Sequence, residues 1–90
     1  MYQPKNKRIK LSPSKKRDLE EYIYSRDGSG CQQCGVYVPY GTPGHHVIPK
    51  SRGGNDSRDN LVLLCQTCHS AVHDKGMKLR QEIYEMLAEE

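Results

Sequence analysis

Apolar residues recur at helical spacing near both ends of the chain. In the first segment the spacing runs from Leu19 to Ile23 and follows Ser12-Pro13, a pair typical of a helix start, so it predicts a helix over residues 13–27. In the last segment an aliphatic stripe predicts a final helix. We expect this stripe to pack in the core against the first helix rather than to form a groove for a partner. Its members are Leu79, Ile83, Met86 and Leu87.

The middle of the chain carries short apolar runs instead. The runs at 45–48 and 61–64 predict two strands paired as a hairpin, and a shorter run at 36–38 predicts a third strand. Residues 50–59 are polar and show no apolar period, which predicts a loop. A helical segment is expected over about 66–74. Short strands followed by helices indicate an α+β fold.

The composition indicates a small core. A chain of 90 residues makes one domain, and this one contains no Phe, no Trp and only 34% hydrophobic residues. We therefore expect Tyr22, Tyr37 and Tyr40 to fill core space rather than to stack on nucleic acid bases. Burial of so little apolar surface is a weak stabiliser, so the fold needs a further source of stability.

The cysteines supply a candidate for that source. They form two C-x-x-C pairs, a spacing that suits one tetrahedral four-thiolate zinc site. Two disulfides are the alternative, and they require an oxidising compartment. The segment MYQPKNKRIK has no apolar stretch after its positive charges and no window is long enough to span a membrane, so we expect a reducing, cytoplasmic location without a membrane partner. That location favours zinc on Cys31, Cys34, Cys65 and Cys68.

Positive charge is concentrated at the start of the chain. Residues 1–17 carry seven basic side chains and no acid, so with a total of +3 the other 73 residues sum to −4. We expect residues 1–11 to form a flexible basic arm and residues 12–90 to form the folded domain. Such an arm binds a nucleic acid backbone or is a solvated tail that aids solubility. The arm residues expected to contact DNA are Lys7, Arg8 and Lys10.

All four histidines lie between residues 45 and 73. His69 and His73 are one helical turn apart and therefore share a face of the predicted helix. His45 and His46 are consecutive in a predicted strand, so their side chains point to opposite faces and cannot easily bind one metal ion. The two residues are expected to have different roles.

The motifs CQQCG, HHVIP, GG and DNLVLLCQTCH, with a closing histidine, resemble the HNH endonucleases over about residues 31–73. The resemblance implies a small ββα-metal (His-Me finger) core that binds one catalytic cation. In this chain the core would have a Cys₄ zinc site and flanking N- and C-terminal helices.

The resemblance also implies roles for single residues. It makes His45 and His69 ligands of the catalytic cation and His46 the general base, while Asn60 bonds backbone near the base and fixes its ring. His73 matches a further ligand of the histidine-rich branch that includes the colicin DNases. Most of the family has Asp at the position of His45, and a nitrogen ligand shifts the expected cation from Mg²⁺ towards Mn²⁺, Ni²⁺ or Zn²⁺.

The function expected from these residues is metal-dependent hydrolysis of DNA phosphodiester bonds, by nicking or double-strand cleavage. The cation stabilises the leaving oxygen and the base deprotonates the attacking water. The alternative function is a non-catalytic zinc-knuckle module that binds DNA, or an accessory subunit of a phage packaging or restriction assembly.

Several residues have a simpler interpretation beside the functional one. The histidine trio could hold a second structural zinc, His73 could be a surface residue, and Asn60 could serve a turn. Three cations after the first strand of the hairpin are either solvated or in contact with phosphate, and their position favours contact. They are Lys50, Arg52 and Arg58.

Overall fold

The computed structural model describes residues 11–90, so the predicted arm contacts Lys7, Arg8 and Lys10 lie outside the described residues. The described part of the chain is α+β, with three α-helices, one two-stranded antiparallel sheet and one short 3-10 helix. The elements in chain order are α1 (Pro13–Arg26), β1 (His45–His46), the 3-10 helix (Lys50–Arg52), β2 (Leu61–Val62), α2 (Gln66–Lys75) and α3 (Gln81–Ala88).

Helix α1 begins as the sequence predicts. The Ser12 hydroxyl accepts a hydrogen bond from the Lys15 backbone N–H at 3.4 Å and caps the helix, and proline occupies the first turn. Ile23 is the fully buried residue of this helix. The helix ends at Arg26, one residue before the predicted end.

The two paired strands are shorter than predicted, two residues each instead of four. Side chains take over the hydrogen bonds where the ladder stops. The Asn60 carboxamide oxygen accepts from the Ile48 backbone N–H at 2.8 Å, and the Asp27 carboxylate accepts from the Leu63 backbone N–H at 2.8 Å. The predicted hairpin pairing is therefore confirmed, the predicted strand lengths are wrong, and only the run at 61–64 is buried throughout. The register pairs His45 with Val62 and His46 with Leu61.

Two further local predictions change in detail. The expected strand at 36–38 contributes only an isolated bridge between Gly30 and Tyr37. The expected loop at 50–59 opens with one 3-10 turn.

Three members of the predicted aliphatic stripe, Leu79 before α3 and Ile83 and Leu87 within it, are buried in the core, and Met86 is partly buried against it. The same buried cluster includes the second strand of the hairpin and two of the cysteines, so the core is built around the cysteine pairs. Its buried members are Cys31, Val38, Val62, Leu63, Leu64, Cys68, Leu79, Ile83 and Leu87.

The prediction that Tyr37 and Tyr40 fill the core is wrong. Their exposed fractions are 71% and 68%. Tyr24 takes the inward position instead, because its hydroxyl donates to the Val38 backbone carbonyl at 2.8 Å and its ring packs edge-on against Tyr40. Aliphatic side chains fill the rest of the space.

Glycine is favoured at positions 53 and 54 for two different reasons. Gly53 ends the 3-10 turn with φ of +85°, a conformation that favours glycine. Gly54 is buried, and a Cβ at this position would overlap the backbone carbonyl oxygen of Ile48. The loop backbone at Gly54 therefore packs directly against the backbone of Ile48 and Pro49, which follow β1.

A buried ion pair anchors β2 to the end of α1. The Arg26 guanidinium contacts the Asp27 carboxylate at 2.8 Å and donates to the Leu61 backbone carbonyl at 2.6 Å. Asp27 is only 5% exposed, so this pair stabilises the sheet from the protein interior. Within residues 11–90, no helix has the length and apolar character needed to cross a membrane.

Candidate metal centres

The structure brings the four cysteines into one cluster. Their sulfur atoms all lie within 4.8 Å of one another, and the Cys34 and Cys65 sulfurs are 3.7 Å apart. In a tetrahedral site with Zn–S bonds near 2.3 Å, neighbouring sulfurs are about 3.8 Å apart. All four thiols are free, so the disulfide alternative is not realised. The cluster therefore has the ligand number and spacing of a structural metal site.

Each C-x-x-C pair forms a turn in which a backbone N–H points at the first sulfur. The Cys31 sulfur accepts from the Cys34 N–H at 3.4 Å, and the Cys65 sulfur accepts from the Cys68 N–H at 3.4 Å. Cys65 is also the N-cap of α2. Burial alone would raise the pKa of the Cys31 thiol, but nearby backbone N–H groups outweigh it and lower that pKa to about 6.

The first cysteine turn also holds α3. Gln33, between Cys31 and Cys34, accepts from the Arg80 backbone N–H at 2.8 Å and donates to the Lys78 backbone carbonyl at 3.1 Å. Arg80 is the N-cap of α3 and makes no cap through its own side chain. The conformation of the first cysteine turn therefore helps to fix the start of α3.

His45 of β1 and His69 of α2 form a second donor group. Their Nδ1 atoms are 3.1 Å apart and their rings are nearly perpendicular, at 87°. Two nitrogens bound to one cation at about 2.1 Å are separated by roughly 3.0 to 3.4 Å, so this pair has the spacing of two ligands. His45 is 5% exposed, and burial lowers its pKa to about 4, with the charges of the other histidines acting in the same direction.

His73 lies one turn further along α2 and is exposed. Its ring centroid is 5.1 Å from that of His69 and 6.1 Å from that of His45. All four histidines line one cavity of about 260 Å³. The His73 ring is therefore adjacent to the donor pair, and its role as a ligand stays a prediction.

His46 has a different hydrogen-bond partner from His45, although both side chains line the same cavity. Its Nε2 lies 2.6 Å from the Asp56 carboxylate, and the Lys50 ammonium is 3.7 Å from the same carboxylate oxygen. His46 lines the histidine cavity and also a neighbouring cavity that includes Lys16 of α1. Asp56 was missed from the sequence, because it lies in a polar loop ten residues away with no periodic signal.

Asn60 is completely buried and closes the loop between the strands. Its carboxamide oxygen accepts from the Ile48 N–H at 2.8 Å, and its NH₂ group donates to the carbonyls of Ile48 at 3.1 Å and Asn55 at 3.0 Å. The side chain thus binds backbone just after the histidine strand. These bonds exceed what a simple turn residue needs.

The three predicted loop cations lie in different surroundings. Lys50 contacts Asp56 beside His46. Arg58 lies with its guanidinium carbon 3.9 Å from the centre of the Tyr22 ring and lines a separate cavity with Lys15. Arg52 is exposed at the end of the 3-10 helix. Of these cations, Lys50 is the one that lines a cavity together with His46.

A known protein family matches the segment that contains the paired cysteines, the histidine hairpin and helix α2. The family model described as HNH endonuclease matches residues 31–75, which contain both donor groups. That match covers half of the chain. The chain belongs to the HNH endonuclease family.

Three curated relatives extend this finding. The chain is 38% identical over 76 residues to the type IV methyl-directed restriction enzyme EcoKMcrA of Escherichia coli K12, covering 77% of this chain but 27% of that enzyme. It is 30% identical over 67 residues to Anaredoxin of Nostoc sp. PCC 7120, covering 74% of this chain and 87% of that protein. A 29-residue stretch, 32% of this chain, is 52% identical to the probable mobile endonuclease C of Enterobacteria phage T4 and covers 14% of it. The chain thus spans about a quarter of the restriction enzyme's length.

Proposed function

We propose that this protein is a metal-dependent endonuclease that hydrolyses phosphodiester bonds in DNA, by nicking or by double-strand cleavage. One observation carries the proposal: His46 and the His45–His69 donor pair face the same cavity of about 260 Å³. A base and a cation site on one cavity can act on one phosphate. Membership of the HNH endonuclease family supports the same conclusion.

The cysteine cluster would hold a structural Zn²⁺. Four thiolates make a closed tetrahedral site that leaves no position for substrate, which is the usual form of a structural zinc. Two of its cysteines, Cys31 and Cys68, lie in the core, and its first turn holds α3. Its proposed contribution is folding stability rather than catalysis.

His45 and His69, with His73 as the third ligand, would hold the catalytic cation. When bound, this cation would neutralise charge on the phosphate and stabilise the leaving 3′ oxygen. Three neutral nitrogen ligands leave the ion its full charge and favour Mn²⁺, Ni²⁺ or Zn²⁺ over Mg²⁺. The Nδ1–Nδ1 separation of 3.1 Å supports a shared ion for the first two residues.

His46 would act as the general base. A neutral imidazole accepts a proton from the attacking water, and a positioned base of this kind contributes about 10² to 10⁴ in rate. Asn60 would act through the backbone, because two of its hydrogen bonds hold Ile48, just after His46, and the third holds Asn55 in the loop. Phosphate contacts are proposed for Lys50, Arg52 and Arg58, with the basic arm adding long-range attraction.

A second function class, a non-catalytic zinc-knuckle module that binds DNA, is also tested below. The Nostoc relative, of which this chain covers 87%, has a name that does not describe a nuclease. The other two relatives are named as a restriction enzyme and a phage endonuclease. We therefore also propose that this protein acts with partners in a restriction or phage packaging assembly.

A plasmid-nicking assay with His46→Ala tests the proposed function. The full chain is loaded with zinc, and supercoiled plasmid is incubated with added Mn²⁺, with Mg²⁺, or with EDTA. We expect metal-dependent nicking by the wild type and a loss of about 10² to 10⁴ in rate for the variant. Tyr37→Ala, at an exposed position that does not line the histidine cavity, serves as the matched control and should cut like the wild type.

Two outcomes would overturn the proposal. If the wild type binds plasmid in a gel shift but does not cut it with any of the cations, the protein is the binding module. If His46→Ala cuts as fast as the wild type while both variants melt at the wild-type temperature, His46 is not the base.

A further inference from the structure

Asp56 makes a short hydrogen-bond contact to His46. Its Oδ1 atom lies 2.6 Å from His46 Nε2, which is at the short end of the range for hydrogen bonds between a ring nitrogen and a carboxylate. The two side chains are 23% and 16% exposed. A contact this short between partly buried groups is not a loose surface ion pair.

The chemistry of the two groups determines which atom carries the proton. Burial opposes ionisation of Asp56, but the hydrogen bond from His46 and the positive charge of Lys50 outweigh it and lower the pKa of the Asp56 carboxyl group. An ionised carboxylate only accepts hydrogen bonds. His46 must therefore donate from Nε2–H, which leaves Nδ1 as the unprotonated nitrogen of the neutral ring.

The fold holds Asp56 in this position from both sides. The preceding residue, Asn55, accepts from the buried Asn60 carboxamide at 3.0 Å, and Ser57 accepts from the Asn60 backbone N–H at 3.0 Å. The Lys50 ammonium lies 3.7 Å from Asp56 Oδ1. The loop closed by Asn60 thus presents one carboxylate to one imidazole nitrogen.

We propose that Asp56 is a positioning residue that fixes the ring and tautomer of His46, so that Nδ1 is free to accept the proton of the attacking water. This proposal rests on the proposed function. In the reaction the water proton moves to Nδ1, and the oxygen's electron pair forms the new bond to phosphorus. The bond from phosphorus to the 3′ oxygen breaks, and its electron pair leaves on that oxygen. Asp56 touches neither water nor phosphate and acts only through His46.

The tautomer can be measured directly in the wild type. Two-bond ¹H–¹⁵N correlation spectra of the zinc-loaded full chain distinguish a ring protonated at Nε2 from one protonated at Nδ1. We expect the neutral His46 ring to be protonated at Nε2 in the wild type. In Asp56→Ala the signal should change to a mixture of the two tautomers. A wild-type ring protonated at Nδ1 would overturn the proposal.

Kinetics of three variants give the second test. Asp56→Ala and Asp56→Asn should lower kcat about 10- to 1,000-fold with little change in KM, within the roughly 10² to 10⁴ that the base itself contributes. Asp56→Glu should recover part of the rate, because it restores a carboxylate. The matched control is Asp59→Asn, since Asp59 lies in the same loop and bonds Ser57 rather than His46.

The outcomes separate this proposal from the function on which it rests. If His46→Ala loses activity while Asp56→Ala keeps both the wild-type rate and the Nε2 tautomer, Asp56 has no positioning role and the nuclease proposal stands. If His46→Ala cuts like the wild type, the proposed base is wrong and the role of Asp56 is lost with it. Equal rate losses in Asp59→Asn and Asp56→Asn would mean that the loop is only structural.

Discussion

The two donor groups of this protein share helix α2 but differ in how completely they are enclosed. Four sulfurs surround one point, all within 4.8 Å of one another, and two of the cysteines are buried in the core. The histidine group has two nitrogens 3.1 Å apart and a third, exposed ring beside them on an open cavity. A closed four-ligand set suits a structural ion, whereas three ligands and an open position suit a catalytic one.

The supports of the two groups differ in the same way. Backbone N–H groups point at the cysteine sulfurs, so each C-x-x-C turn is stabilised by its own local chain. The histidine strand depends on residues from a distant loop, namely Asn60 and Asp56. The cysteine cluster, here called the closed group, is therefore supported by its local sequence. The histidine group, here called the open group, is assembled from separate segments.

The largest expected effect comes from opening the closed group. Cys31→Ser removes one thiolate from a site whose metal-binding energy is part of the folding energy, on the order of 10 kcal/mol for comparable sites. We expect the variant to lose zinc and cooperative unfolding together. Metal analysis and circular dichroism melting curves measure both. A variant that keeps one bound zinc and melts like the wild type would refute the four-cysteine site.

Substitutions in the open group should leave the fold intact, and two histidine variants distinguish a metal ligand from the general base. His69→Ala should lower the affinity for Mn²⁺ by about 10²-fold or more, since it removes a proposed ligand, while leaving zinc bound and the fold intact. His46→Ala should leave the Mn²⁺ affinity within a few-fold of the wild type. Calorimetric titration of the zinc-loaded proteins measures both values. Equal losses of affinity would make His46 a ligand and contradict the division of roles.

A smaller effect is expected from the loop that supports only the histidine group. Gly54→Ala introduces a Cβ into the Ile48 carbonyl oxygen, and such overpacking costs about 1 to 3 kcal/mol. Gly53→Asn is the matched control, because that position has open space and Asn tolerates positive φ. Denaturant unfolding curves should show the loss for Gly54→Ala alone. If both variants are equally destabilised, backbone conformation rather than close approach explains the pair.

The smallest effect on either donor group should come from removing residues 1–10, which include four of the basic side chains. If Lys5, Lys7, Arg8 and Lys10 all contact DNA phosphates, the slope of log K against log salt should fall by roughly 3 to 4. Zinc content and Mn²⁺ affinity should stay at the wild-type values. Salt titrations of duplex binding measure the slope. An unchanged slope would assign the binding to Lys50, Arg52 and Arg58 instead.

The residues differ in how far the sequence could predict their positions. Ser12-Pro13 and the C-x-x-C spacing act over a few residues, so the start of α1 and the two cysteine turns follow from local pattern. The contact between Asp56 and His46 depends on how a polar loop folds back onto the strand. No periodic pattern in the sequence predicts this contact. The sequence also does not predict that Tyr24 rather than Tyr37 points towards the core. Tertiary packing decides which tyrosine side chain is buried.

Helix α2 begins with Cys65 as its cap, and the His69 backbone N–H donates to the Cys65 carbonyl at 2.8 Å. A single helical turn therefore carries residues of both donor groups, and we expect ion binding at the two groups to be coupled. Any factor by which zinc at the cysteines tightens a cation at the histidines must equal the factor by which that cation tightens zinc. If both proposed sites bind their ions, we expect a cation at the histidines to change the equilibrium affinity of the cysteines for zinc, and competition titration against a chelator with and without Mn²⁺ measures that factor.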